Sequence, residues 1–159
     1  MSKSRTLLWF APIVFLLHVA EEAPSLVEWF NRHVQPRMTD EMFVILNTGA
    51  AVITLVLVGA AAIRGVTRGM ALALLGWLAF LMLANGTLHI LASLVFREYV
   101  PGTVTAVVFY LPYFALVFRA LRRAPGVTTR SAIAASAIGA VPMVTQGIGI
   151  LVFGRRLFW

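Results

Sequence analysis

Five apolar runs, each long enough or nearly long enough to cross a bilayer, constrain this chain more than any other feature. They lie at residues 6–22, 42–63, 70–96, 103–121 and 132–153. An apolar stretch of about 18 residues or more with few charges reads as a membrane span. Lipid offers no partner to an unpaired backbone group, so each span must be a helix. The expected fold is an all-α integral membrane protein, a bundle of five transmembrane helices in one domain over residues 1–159. Composition agrees: 60% of the residues are hydrophobic and 12% charged, against about 45–50% and about 25% in soluble domains. The net charge of +7 resides in short loops beside the apolar runs, which points to topology signals and anionic headgroups and away from nucleic acid. With no cysteine, disulfides and thiolate ligands are excluded. No internal repeat is visible, so an inverted-repeat transporter has no support.

A cleaved signal peptide competes for the first run. Its "HVA" places a histidine where cleavage requires a small residue, so the run is expected to remain as a span. Pro12, Pro112 and Pro142 fall inside spans and are expected to kink them.

Loop charges predict the orientation. Lys3 and Arg5 precede the first span, Arg64 and Arg68 follow the second, and Arg119, Arg122, Arg123 and Arg130 follow the fourth. The first loop is acidic on balance, and in the third Arg97 is offset by Glu98. The N-terminus is therefore expected in the cytoplasm, with the first and third loops outside. Arg155 and Arg156 in the tail run against that rule. The expected location is a bacterial plasma membrane.

Against this apolar background "FLLHVAEEAP", residues 15–24, stands out. From Thr6 to Ala20 a helix reaches only about 22 Å at 1.5 Å per residue, short of a hydrocarbon core about 30 Å thick. The helix must continue through Glu21 and Glu22 and draw them toward lipid. An unpaired charge there costs about 2.5–3.5 kcal/mol or more, so a cation or a proton must compensate it. The topology puts Asn47, Asn85, His89, Tyr99, Tyr110 and Gln146 at the same depth as His18, Glu21 and Glu22. His18, Glu21 and Glu22 stand at i, i+3 and i+4, and Asn85 and His89 at i and i+4, so each set can share one helical face. Two imidazoles and two carboxylates form a ligand set for one divalent ion, zinc or iron. His18, His89 and one glutamate would hold it, and the other glutamate would act as base. Which glutamate does which is left open. Asn85 would orient a ligand or donate to an oxyanion, and Tyr99 would aim its hydroxyl at the site.

Three motifs carry a resemblance. "HVAEE" at 18–22, "NGTLH" at 85–89 and "YVPGT" at 99–103 stand in order, and together they resemble the HXXEE family of small multi-pass membrane proteins. The resemblance implies that His18, Glu21, Glu22, Asn85, His89, Tyr99, Pro101 and Gly102 are motif positions of an enzyme-like site. It names no substrate.

Plainer roles are expected elsewhere. Pro101 and Gly102 suit the central positions of a type II turn. Glu98 reads as an ion pair with Arg97, His33 as a solvated loop residue, and Asn47, Tyr110 and Gln146 as helix–helix hydrogen-bond formers. "SLVEWFNRHVQP", residues 25–36, reads as a short amphipathic surface helix above the cluster, opened by a Ser25–Glu28 capping box. The expected function is metal-dependent chemistry, hydrolysis foremost, on a lipid-like or membrane-partitioned substrate. Two other classes remain: metal-free acid–base isomerisation or cyclisation of a lipid, and proton-coupled transport.

Overall fold

The computed structural model describes residues 3–34 and 38–153. Gln35 and Pro36 of the expected surface helix, and Arg37, Arg155 and Arg156 of the charge pattern, lie outside the described residues. Every regular element among the described residues is helical. We label them α1 (Lys3–Leu8 continuing as Phe10–Glu22), α2 (Leu26–His33), α3 (Asp40–Arg64), α4 (Arg68–Phe96), α5 (Thr103–Leu121) and α6 (Thr129–Phe153). Four of these, α3 to α6, are long and apolar enough to cross a bilayer, and α1 with α2 makes a fifth if counted as one span bent by 62°. The chain is thus a multi-pass, all-helical bundle.

Local chemistry explains where the helices start, break and stop. The hydroxyls of Thr39 and Thr67 accept from the amides of Met42 and Met70, capping α3 and α4. Gly65 ends α3 with a φ of 84°. Pro12 has no amide to offer the Leu8 carbonyl, and α1 tightens there, Trp9 N–H bonding back to Thr6. Pro24 breaks the helix at the bend between α1 and α2. In α5 a π-helical turn, Ala106–Tyr110, stands just before Pro112, which cannot donate to the Val108 carbonyl. A second π turn, Ala79–Ala84, interrupts α4 just ahead of Asn85. Pro142 lies within an unbroken α6. Ser25 makes no side-chain cap, so the expected capping box does not form.

The hydrophobic core centres on α4, of whose apolar window 44% is buried, against 17% for α3 and for α6. Leu74, Leu75, Leu78 and Met82 of α4 meet Val58 and Ala61 of α3, Phe15 of α1, and Phe114 and Val117 of α5. The outward faces carry exposed Ile45, Val56, Ile63 and Ile138, as suits a surface bathed in lipid. Close approach replaces hydrophobic drive where α4 crosses α6: a Cβ on Gly139 would stand 2.0 Å from the Gly76 carbonyl oxygen.

That crossing is testable. Gly139→Ala should destabilise the bundle by about 1–3 kcal/mol. Gly59→Ala, whose Cβ meets nothing within 4 Å, should be neutral or stabilise by up to about 1 kcal/mol. Thermal unfolding in detergent, read by circular dichroism, would separate the two; equal Tm values would contradict the close crossing.

Candidate functional site

Three segments distant in sequence meet at one end of the bundle. The end of α1 brings His18 and Glu22, one turn apart. The later part of α4 brings Asn85 and His89, also one turn apart. The start of α5, with the turn before it, brings Gly102 and Thr105. His18, Glu22 and His89 are all buried, at 1%, 5% and 7% exposure. Glu22 Oε1 lies 3.2 Å from His18 Nε2 and 3.0 Å from His89 Nε2. The imidazoles meet edge to face, ring centres 5.0 Å apart.

Hydrogen bonds define the His18 tautomer. The Thr105 hydroxyl donates to the Gly102 carbonyl at 3.2 Å, so it must accept at 2.7 Å from His18 Nδ1–H. Asn85 Nδ2 donates to His18 Nε2 at 3.3 Å. With the proton on Nδ1, Nε2 faces the Glu22 carboxylate as an acceptor, a contact that an added proton or a cation would stabilise. The spacing suits a divalent ion: donors bound tetrahedrally at about 2.0–2.1 Å stand about 3.3 Å apart. One donor atom from each of His18, Glu22 and His89 lies within 4.8 Å of the others, and this is the one such group among the described residues.

Glu21 departs from expectation. It does not join this group. Its Oε1 accepts from the Tyr99 hydroxyl at 2.5 Å and the Val104 amide at 3.0 Å, and its Oε2 from the Thr105 amide at 2.7 Å. It caps the first turn of α5, where free amides and the helix dipole favour a carboxylate. Tyr99 likewise faces Glu21, is 56% exposed, and does not line the cavity. Burial and the Glu21 carboxylate push its phenol up to about 12, so it remains a neutral donor. Neighbouring helical residues point about 100° apart, and two adjacent glutamates therefore serve different helices.

The "YVPGT" segment forms the expected turn. Thr103 N–H bonds to the Val100 carbonyl at 3.1 Å, and Gly102 takes φ 98°, the geometry of a type II turn. Gly102 also sits against the site. A Cβ there would lie 2.8 Å from His89 Cε1 and 2.9 Å from His18 Cε1.

Thr105 was not foreseen in the sequence, and Tyr110, expected to form a helix–helix hydrogen bond, meets the site by stacking instead. Thr105 positions His18, and Tyr110, buried, stacks on the His18 ring at 3.9 Å. The Tyr110 hydroxyl and His89 Nδ1 are buried without a hydrogen-bond partner among the described residues. Glu98 does not pair with Arg97 among the described contacts; it accepts from Trp29 Nε1 and lies 3.1 Å from His33 Nε2. His33 Nδ1 donates to the Trp29 carbonyl. These bonds hold α2 across the end of the bundle, with Trp29 buried against Ala92 and Val100.

Beneath α2 a cavity of about 470 Å³ opens onto the cluster. His18, Glu22, Asn85 and His89 form its polar end, with Asn47 and Gln146 nearby; the remaining wall is almost entirely apolar.

The joining of "HVAEE", "NGTLH" and "YVPGT" around one buried carboxylate decides the relationship. The chain belongs to the HXXEE family. The match, described as "protein of unknown function with HXXEE motif", covers residues 9–117 and so all of the polar cluster. No curated protein and no solved structure matches the chain. In this member the HXXEE motif divides its labour: His18 and Glu22 enter the site, while Glu21 ties α1 to α5.

Glu21→Gln should therefore lower stability by about 1.5–3 kcal/mol, the worth of hydrogen bonds to a charged group, and leave the cluster intact. Tyr99→Phe should cost less, being exposed. The Tyr99–Glu21 contribution should be complete below the unfolded phenol pKa of about 10 and vanish as pH rises through about 12. Unfolding of the three proteins against pH would check this; an unchanged Tm in Glu21→Gln would count against the cap.

Proposed function

We propose that the protein is a membrane-embedded, metal-dependent hydrolase acting on a lipid-like substrate. The observation that carries this is the meeting of His18, Glu22 and His89 at the polar end of an otherwise apolar cavity. Two imidazoles and a carboxylate are the protein ligands of a known class of catalytic zinc site, and iron accepts the same set. An ion held there would act as a Lewis acid and bring the pKa of its water toward about 7.

The chain's own residues have distinct tasks in this reading. His18 is fixed in tautomer by Thr105 and kept in place by Tyr110. Glu22 would hold an ion through Oε1, the oxygen nearest both imidazoles. Its Oε2 makes no hydrogen bond among the described residues and is the base of the site, the role expected of a second glutamate. Asn85 Nδ2, beside His18, is the donor placed to steady a developing oxyanion. The apolar wall excludes water and holds the substrate's chain.

One observation favours a second reading. A metal-binding histidine nearly always donates through its other ring nitrogen. His18 does so to Thr105, whereas His89 Nδ1 has no partner. Without metal, the cluster is a carboxylate flanked by two imidazoles that can pass protons, suited to isomerising or cyclising a lipid.

Metal content separates the two. Protein purified without chelators or an imidazole–metal column should contain about one equivalent of zinc or iron. His89→Ala and Glu22→Gln should lose it while remaining folded; Glu21→Gln should retain it. Substoichiometric metal in the wild type would overturn the hydrolase reading in favour of acid–base chemistry.

Loop charge supports a cytoplasmic N-terminus and a site toward the extracytoplasmic face of a bacterial plasma membrane. Phosphatase fusions at the C-terminus should then be active and fluorescent-protein fusions dark. The reverse pattern would turn the site to the cytoplasm.

A further inference from the structure

The cavity is elongated, and one side of it is open. Its lining on α4 runs from Trp77 to Ala92, and on α3 from Met42 to Ile53, or about 16–22 Å along the helix axes at 1.5 Å per residue. Ile45 and Ile53 of α3 line it, yet they are 66% and 44% exposed. Side chains that line a cavity while facing outward mark its mouth. Across the cavity stand Met143 and Ile150 of α6. Both walls rest on the central α4, and the mouth between them faces the lipid-exposed flank of the bundle.

Size and charge restrict what can enter. A volume of about 470 Å³ lies in the range that encloses one drug-sized molecule, room for a single chain and not for a two-chain phospholipid. Among the described residues that line it there is no lysine or arginine, and the ionisable ones are His18, Glu22 and His89. Phosphate and carboxylate heads are normally met by arginine forks or lysine. Here an anionic head would instead approach the Glu22 carboxylate. The amides of Asn47, Asn85 and Gln146 offer donors and acceptors to an uncharged polar head.

We infer that the site takes an uncharged single-chain amphiphile, such as a fatty ester, amide or alcohol, laterally from the bilayer between α3 and α6. Its head lies toward His18, Glu22 and His89 and its chain along Trp77. This rests on the polar cluster being the reactive end of the site; the single chain and the lateral entry do not depend on a metal, whereas the exclusion of an anionic head applies to metal-free protein, since a bound divalent ion would itself attract such a head.

Trp77 provides the readout. In nanodiscs, a monoacylglycerol with a dibrominated chain should quench Trp77 fluorescence saturably, the Trp77→Phe protein isolating that signal. In chelated, metal-free protein, lysophosphatidate with the same chain should quench it far less. Gly49 lines the cavity and has open space around its missing Cβ, as does Gly59 on the same helix outside the cavity. Gly49→Phe should therefore fill the cavity without straining the fold and weaken the uncharged probe by about tenfold or more, the cost of a few unburied methylenes. Gly59→Phe should leave binding unchanged, and Gly49→Leu, a smaller filling, should fall between. Equal quenching by lysophosphatidate would overturn the head selectivity. Quenching untouched by Gly49→Phe, with Tm retained, would show ordinary bilayer contact and overturn the site. Repeating the titration after chelation separates this inference from the hydrolase reading: binding that survives in metal-free protein supports the amphiphile site even where the metal assignment fails.

Discussion

The rest of this structure depends on the burial of one carboxylate. Glu22 is 5% exposed at the end of a helix whose neighbours are lipid and other helices. An unpaired charge in that setting costs several kilocalories per mole. Its partners must therefore be supplied by the fold. His18 is available one turn back on α1, but His89 requires that α4 lie against α1 at this depth. Two imidazoles at one carboxylate oxygen leave little space for a third backbone, and the turn before α5 passes at Gly102 because a glycine has no Cβ to strike the rings. The placing of α1, α4 and α5 thus follows from the solvation of a single side chain.

Glu21 answers a different backbone need. A transmembrane helix that starts at a tight turn leaves its first amides unsatisfied, and water is scarce at that depth. By accepting from Val104 and Thr105, Glu21 solves that problem for α5 and fixes Thr105 where its hydroxyl orients His18. The cap and the site are mechanically linked: Glu21 holds the Thr105 amide, and the Thr105 hydroxyl meets His18 Nδ1.

Much of this was legible in the sequence, and the reasons differ by element. The spans were readable because hydropathy is a local property. His18, Glu22, Asn85 and His89 were readable because such groups are costly in apolar runs, and the three motifs lie where antiparallel helices bring them level. The i, i+3, i+4 spacing could not divide Glu21 from Glu22, since it states which side chains share an arc and not which helix faces each edge of it. Thr105 is an ordinary residue of a span until a partner 87 positions away defines its role, and Tyr110 could be placed at the right depth but not on the face of the His18 ring. The π turns in α4 and α5 shift the phase of whatever follows and leave no plain hydropathy signal. Glu98 was read with its sequence neighbour, but Arg97 adopts a left-handed φ of 55°, the chain reverses there, and the carboxylate meets Trp29 and His33 instead.

The two sides of the cavity are built on different physics. On the α1–α5 side His18, Glu21 and Glu22 are tied by charge-assisted or buried hydrogen bonds, which hold the geometry of the cluster against thermal motion. On the α3–α6 side the walls are largely aliphatic, α6 packing mainly on α4 and α3 on α1 and α4, and hydrophobic swaps of similar volume there cost little. The family match ends at residue 117, before α6 begins. A chain arranged this way can change the length or shape of what it accepts by altering α6, a helix that contributes none of the donor atoms. For the proposed amphiphile, selectivity for the chain and reactivity at the head would then be separable, because one would rest on dispersion and area along an open wall and the other on electrostatics around Glu22.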